Sequence, residues 1–268
     1  MIGMGRSNIG YCGIGADGRP VTDYRAWNPC GFGCSRRCGD CWALAMSHRF
    51  GTGSCDDCRQ FRLHYHPERL DQPARHKRPS VILVNFTCDT FDPWRPLPQI
   101  IEMMAAAAAA PQHTYVWLTH DASRMAAYLM ACPDIPDNHY WGITVRRQGE
   151  MLSMDWLARV RAKLWLSIEP IEGDIDLMTP VEAAIALNMR CDAGRLAGVI
   201  VGHSNRRGAP GTETLEHADS IARQCECLGV PVFVKQLWIG GTLSHAPDRL
   251  GVPAPRNLPW SAPRERKR

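Results

Sequence analysis

The sequence predicts an α/β protein of repeated βα units around a parallel sheet, most economically a full or partial barrel. Three observations carry that expectation. Short apolar runs rich in Val, Ile, Leu and Trp recur along the chain without strict alternation, which suits parallel strands buried on both faces. Helix-like stretches separate them, as right-handed crossovers between parallel neighbours require. The length of 268 residues is close to the roughly 250 that one α/β barrel uses.

Taken in order, Tyr24–Asn28 is a short strand that delivers the chain to a cysteine-rich loop. The following strands are VILVNF (Val81–Phe86), TYVWLT (Thr114–Thr119), YWGITV (Tyr140–Val145), KLWLSI (Lys163–Ile168), AGVIVG (Ala197–Gly202) and PVFVK (Pro231–Lys235). Helices are expected over Leu97–Ala110, Asp121–Cys132, Glu150–Arg161 and Thr214–Leu228, with Pro111 and Gly229 as stop signals. An open doubly wound sheet is the alternative, but it normally carries a Gly-rich phosphate turn after an early strand. The GMG and GIG triplets near the start lack the flanking strand and helix. The expected organisation is an N-terminal extension (1–23), a barrel (24–241) with its cysteine loop at 30–42, and a Pro- and Arg-rich tail (242–268).

The composition, 45% hydrophobic and 22% charged, excludes disordered and fibrous classes. The net charge of +4 matches the six basic and two acidic residues between Pro247 and Arg268, so the body is neutral. Such a tail attracts phosphates or is simply a solvated end. The start, MIGMGRSNIGYC, has no signal-peptide pattern, and no apolar run approaches the roughly 20 residues of a membrane span. A cytoplasmic protein without membrane contact is expected.

Of twelve cysteines, seven (Cys12, Cys30, Cys34, Cys38, Cys41, Cys55 and Cys58) precede residue 60. Clustered thiols in a reducing compartment point to metal ligation rather than disulfides. CSRRCGDC sets Cys34, Cys38 and Cys41 in a C-x3-C-x2-C array. Three thiolates on one loop can hold three irons of a 4Fe–4S cube and leave the fourth open to another ligand. Cys30 offers the longer spacing Cys30-x7-Cys38-x2-Cys41, but it adjoins Pro29 at a strand end, so Cys34 is preferred. A structural zinc loop is the competing reading.

The array resembles the signature loop of the radical S-adenosylmethionine (SAM) superfamily. AWNPCGFGCSRRCGDCWA, LHYHPERLDQPARHKRP, VNFTCDTFDPW, APQHTYVWLTHDASRMAAYL, LWLSIEPIEGDIDL, GVIVGHSN and GVPVFVKQLW follow in order. Together they resemble a phage and prophage radical-SAM-like family of gene products without an assigned reaction. The likeness covers roughly Tyr24 to Gly241. The chain departs from that pattern in a shorter cysteine loop, in VGHSN where VGGES is usual, and in LTHDA where LTKRP is usual. The resemblance implies a partial (β/α)6-type barrel, a 4Fe–4S cluster on Cys34, Cys38 and Cys41, and SAM on the open iron. It also implies reductive cleavage to a 5′-deoxyadenosyl radical, with electrons from a donor such as flavodoxin or ferredoxin. The phage context suggests a modified nucleoside or DNA as substrate, in an isomerase-like or base-modifying step of DNA hypermodification. A zinc-stabilised nucleic-acid-binding module without radical chemistry is the alternative.

In an α/β barrel, polar residues just past the strand ends face the active site. Here they are Asn85, Thr87, Asp89, Thr119, His120, Thr144, Arg146, Glu169, His203, Asn205, Lys235 and Gln236. Lys235, His203 and His120 are the catalytic candidates; Glu169, Asn85, Thr87, Thr144 and Asn205 are the cofactor-binding ones. A carboxylate suits the SAM amine or ribose, and an ammonium suits a substrate carboxylate or phosphate. Cys55 and Cys58 form a second CxxC, followed by His64 and His66. As a candidate second metal site the four could bind zinc, or the two thiols could help ligate a second cluster with Cys12 or Cys88; a bland pair of loop thiols is the equal alternative. Trp42, directly after the last loop cysteine, could shield the cluster or pack on adenine, but an ordinary place in the barrel core is the preferred expectation.

Overall fold

The computed structural model describes residues 4–7, 23–50, 55–132, 134–153, 160–179, 196–204, 213–245, 258 and 260. Among them lies a nine-stranded sheet whose spatial order is its sequence order. The strands are β1 (Gly5–Arg6), β2 (Tyr24–Trp27), β3 (Val81–Val84), β4 (Thr114–Thr119), β5 (His139–Thr144), β6 (Lys163–Ile168), β7 (Leu196–Gly202), β8 (Val232–Ile239) and β9 (Thr242–His245). Strands β2 to β8 run parallel, each to the next, while β1 and β9 pair antiparallel at the two edges. The fold is therefore a mixed α/β fold with a mostly parallel sheet that is not closed.

Helices connect the strands. Among the described residues they are α1 (Trp42–Phe50), α2 (Asp56–Arg59), α3 (Gln72–Arg75), α4 (Leu97–Ala108), α5 (Ala122–Ala131) and α6 (Glu213–Leu228). Helix α5 starts where Asp121 accepts the Arg124 N–H at 2.9 Å, a side-chain cap for an otherwise unpaired donor. The helix expected over Glu150–Arg161 is a 3-10 turn at Gln148–Ser153, and residues 154–159 lie outside the described residues. Trp42 opens α1 at 43% exposure, so the expected core position is not where the chain puts it.

Strands β3 to β8 alternate between two buried faces. Ile82, Trp117, Trp141, Leu166, Val201 and Val234 pack on the side that meets Ile100 and Met103 of α4, Met125 and Leu129 of α5, and Ile221 of α6. The opposite face gathers Val81, Leu83, Val116, Trp165, Ile200 and Phe233, and it is covered by Leu258 and Trp260. Trp260 stands edge-on to Tyr140 and Trp165, with centroids 5.2 Å away in each case. Gly142 leaves room for this aromatic fill: a Cβ there would come within 2.2 Å of the Trp165 ring. Parts of both terminal segments thus belong to the sheet or the core. No helix among the described residues is long and apolar enough to cross a membrane.

Beneath the aromatic stack, His139 is 2% exposed and its Nδ1 accepts the Trp117 indole N–H at 3.2 Å. Burial pushes its pKa down to about 3. An unfolded histidine takes its proton near pH 6.5, so between those values the unfolded state binds more protons and stability falls as pH falls. The slope from one such group is about 1.4 kcal/mol per pH unit. His139→Gln keeps an acceptor for Trp117 without the titration. Denaturant unfolding should show the wild type losing about 2 kcal/mol more than this variant between pH 7 and pH 5; equal losses would refute the assignment.

Candidate functional site

The chain leaves β2 into a loop that lies across the C-terminal ends of the parallel strands. Groups from successive strand ends hold it there. After β3, fully buried Asn85 accepts the Cys30 N–H at 3.1 Å while its amide donates to Thr90 Oγ1 at 3.0 Å. Thr87 Oγ1 donates to the Gly31 carbonyl at 2.5 Å, and Asp92 Oδ2 accepts the Ser35 N–H at 2.7 Å, next to Cys34. After β4, the His120 carbonyl accepts from Arg36 at 3.4 Å. After β5, Arg146 pairs with Asp40 of the loop at 3.0 Å and also with Glu172.

Cys34, Cys38 and Cys41 are all half-buried on this loop. Burial pushes the Cys34 thiol up to about 11 and also raises Cys38, against the pull of Arg146 and Arg36. Cys41 Sγ accepts the Leu44 N–H at 3.4 Å, at the start of α1. Cys30 is different. It is wholly buried, with its thiol 3.6 Å from Met103 Sδ in the core beneath the loop.

At the far strands, Glu169 after β6 and Lys235 in β8 form an ion pair at 3.0 Å, with side chains only 14% and 21% exposed. Strand β7 lies between them, and Gly202 makes the approach possible, since a Cβ there would sit 2.8 Å from Glu169 Oε1. His203 is 1% exposed, and its Nδ1 accepts the Trp238 N–H at 2.9 Å, so a neutral ring carries its proton on Nε2. Thr144 ends β5 half-buried, opposite Ser167 of β6. His120 is held by its backbone N–H on Asp89 Oδ2 at 2.9 Å, and burial lowers its pKa. Asn205 lies outside the described residues.

Sequence reasoning missed Asp92, 1% exposed, and Arg95, equally buried, whose guanidinium reaches the Asp89 and His64 carbonyls at 3.2 and 3.1 Å. The available signal was TCDTFDPWRP, with two acids and an arginine closely following a strand.

A second constellation sits behind the loop. Among the described residues, the donor atoms of Cys55, Cys58, His64 and His66 all lie within 4.8 Å of one another, close enough to share a metal ion. Cys58 Sγ is 3.1 Å from His64 Nε2 and 3.6 Å from His66 Nε2, and the two Nε2 atoms are 3.0 Å apart. Cys55 opens α2, and its Sγ accepts the Cys58 N–H at 3.4 Å, so the helix start itself sets the CxxC geometry.

No curated protein and no solved structure matches the chain. The family described as a protein of unknown function (DUF5131) matches residues 22–250, a span that holds the cysteine loop, the Cys2His2 constellation and the strand-end residues, and the chain belongs to that family.

Proposed function

We propose that the chain is a radical SAM enzyme on a partial (β/α)6-type barrel, acting on a nucleic-acid base or on an amino-acid substituent carried by one. The observation that carries this reading is the placement of three thiols on a loop tied across the C-terminal ends of parallel strands, the edge where α/β folds bind ligands. Sequential strand order supports the barrel, because crossovers of one hand between adjacent strands keep the helices on one face.

The donor set fits an iron–sulfur cluster. Cys34, Cys38 and Cys41 would hold three irons, and Arg146 and Arg36, whose charges favour the Cys38 thiolate, would offset the thiolate charge. When bound, the cluster supplies the electron that cleaves SAM, delivered from a flavodoxin or ferredoxin, and with it the radical that removes a substrate hydrogen. The chain's own residues position and enclose. Asn85, Thr87 and Asp92 fix the loop backbone from below. Glu169 offers a carboxylate to the SAM amine or ribose, and Lys235 its ammonium to an anionic substrate group. His120, whose pKa burial lowers, and His203, whose Nδ1 accepts the Trp238 N–H, serve as hydrogen-bond or proton-transfer partners. The aromatic plug of Trp165 and Trp260 closes the inner face of the sheet against water. The nucleic-acid substrate follows from the resemblance to phage proteins and from the basic C-terminal segment.

The Cys55–His66 constellation favours a second reading, a zinc-stabilised nucleic-acid-binding module. Iron decides between them. Full-length protein purified and reconstituted without oxygen should be brown, carry about four irons and four sulfides per chain, and form 5′-deoxyadenosine when reduced with SAM. Colourless protein that takes up no iron under those conditions overturns the radical reading and leaves the second one standing.

A further inference from the structure

We propose that Cys55, Cys58, His64 and His66 form a closed, mononuclear Zn2+ site that staples the cysteine loop to the segment behind it. This inference does not rest on the radical reading, because the site uses none of the loop thiols.

The donor spacings fit one tetrahedral ion. Zn–S bonds of about 2.3 Å and Zn–N bonds of about 2.0–2.1 Å put ligand atoms about 3.3–3.8 Å apart around a tetrahedron. Four of the six donor–donor distances run 3.0, 3.1, 3.6 and 3.7 Å, and all six lie within 4.8 Å. A two-iron cluster with Cys2His2 ligands would place the thiolates on one iron and the imidazoles on the other. Here thiol and imidazole interleave within a single 4.8 Å group.

Proton placement points the same way. His64 Nδ1 lies 2.7 Å from the Arg62 carbonyl, and His66 Nδ1 lies 2.7 Å from the Glu68 carboxylate. Each Nδ1 therefore carries the ring proton, and each Nε2 turns a lone pair toward the centre. Two lone pairs 3.0 Å apart repel unless a cation sits between them. A carbonyl and a carboxylate behind the rings are the usual supports of metal-bound histidines. Two thiolates and two neutral imidazoles also make the Zn2+ site electrically neutral, which suits a cluster containing fully buried Cys58. The sulfur–nitrogen tetrahedron selects zinc over hard cations.

The loop itself packs against one side of the site, at Cys58, His64 and His66. Gly31, at φ +59°, lies so near that a Cβ would come within 2.5 Å of His64 Nε2 and 2.7 Å of Cys58 Sγ. The Phe32 N–H points at Cys58 Sγ at 3.5 Å, and the His66 N–H bonds the Pro29 carbonyl at 2.7 Å. Four protein donors fill a tetrahedron, so the ion is structural. Its mechanical effect is on Cys30–Cys34, the entry to the thiol array. Arg37 adds a second tether, donating to the Gln60 and Phe61 carbonyls at 3.0 and 3.2 Å.

The test measures zinc on the full chain, with iron measured separately. One zinc per chain is expected in the wild type and in Cys34→Ala, and the Cys58→Ala and His64→Ala variants should bind Zn2+ at least about tenfold more weakly. Should those variants misfold, the wild type itself still answers. Stripped by a chelator and refilled with Co2+, it should show the visible bands of tetrahedral cobalt with thiolate charge transfer. Proteolysis within residues 28–41 should also quicken on stripping and slow again on refilling. Wild-type protein that retains no Zn2+ or Co2+ after dialysis overturns the proposal, as does loss of zinc in Cys34→Ala as complete as in Cys58→Ala. Neither readout involves SAM or iron, so its failure is separable from failure of the radical reading.

Discussion

Cys34→Ala, Cys38→Ala and Cys41→Ala should each reduce cluster iron and SAM cleavage to background while zinc content is kept. A site with three protein thiolates has none to spare, because solvent ligands do not replace a thiolate on iron. Cys30→Ala should behave differently and retain iron. Its thiol lies in the core against Met103, with the backbone N–H above it held by Asn85, whereas Cys34 follows two glycines and precedes the Ser35 N–H anchored on Asp92. Iron analysis and 5′-deoxyadenosine assays on the four anaerobic variants decide the matter. Full activity in Cys34→Ala together with loss in Cys30→Ala would move the first ligand to Cys30 and establish the longer spacing.

The parallel sheet was legible because its strands are buried on both faces, and continuous runs such as TYVWLT and KLWLSI have no other simple reading; both end where expected. The last hairpin was legible in principle too. Gly240 and Gly241, at φ +54° and +79°, form the two-residue turn that matches strand twist, and they separate two β-rich runs in the sequence. What was not legible depends on distant parts meeting. Nothing local in the C-terminal segment shows that Trp260 seals the sheet against Trp165. Trp42 likewise follows a cysteine in an apolar context, yet it opens a helix near the surface. At the site, residue types were readable and pairings were not. Asn85 and Thr87 stand out as polar residues at a strand end, but only the fold shows both turned onto the loop backbone.

Glu169 and Lys235 sharpen that point into a prediction. From sequence they are separate contacts, one for SAM and one for substrate. In the fold they are a half-sheltered ion pair spanning β7 over Gly202, so their effects on stability should not add. Lys235→Met removes the cation and leaves a carboxylate with a 14% exposed side chain unpaired, which should cost about 2–3 kcal/mol of stability. Glu169→Gln with Lys235→Met removes both charges and should recover most of that loss. The coupling expected for a contact of this kind is about 1–2 kcal/mol, well above the roughly 0.5 kcal/mol scatter of independent sites. A parallel cycle on SAM affinity separates positioning from binding. Glu169→Gln should weaken SAM about tenfold, the worth of one charge-assisted hydrogen bond. Lys235→Met should leave SAM bound and slowly cleaved but uncoupled from substrate, and the double variant should bind SAM no worse than Glu169→Gln alone. If the stability cycle closes additively, the pair is an ordinary surface contact, and if Glu169→Gln also leaves SAM affinity unchanged, the strand-end assignment of these two residues fails. If the stability cycle shows coupling but Glu169→Gln leaves SAM affinity unchanged, the pair holds β6 to β8 and the SAM carboxylate must be sought elsewhere along the same edge.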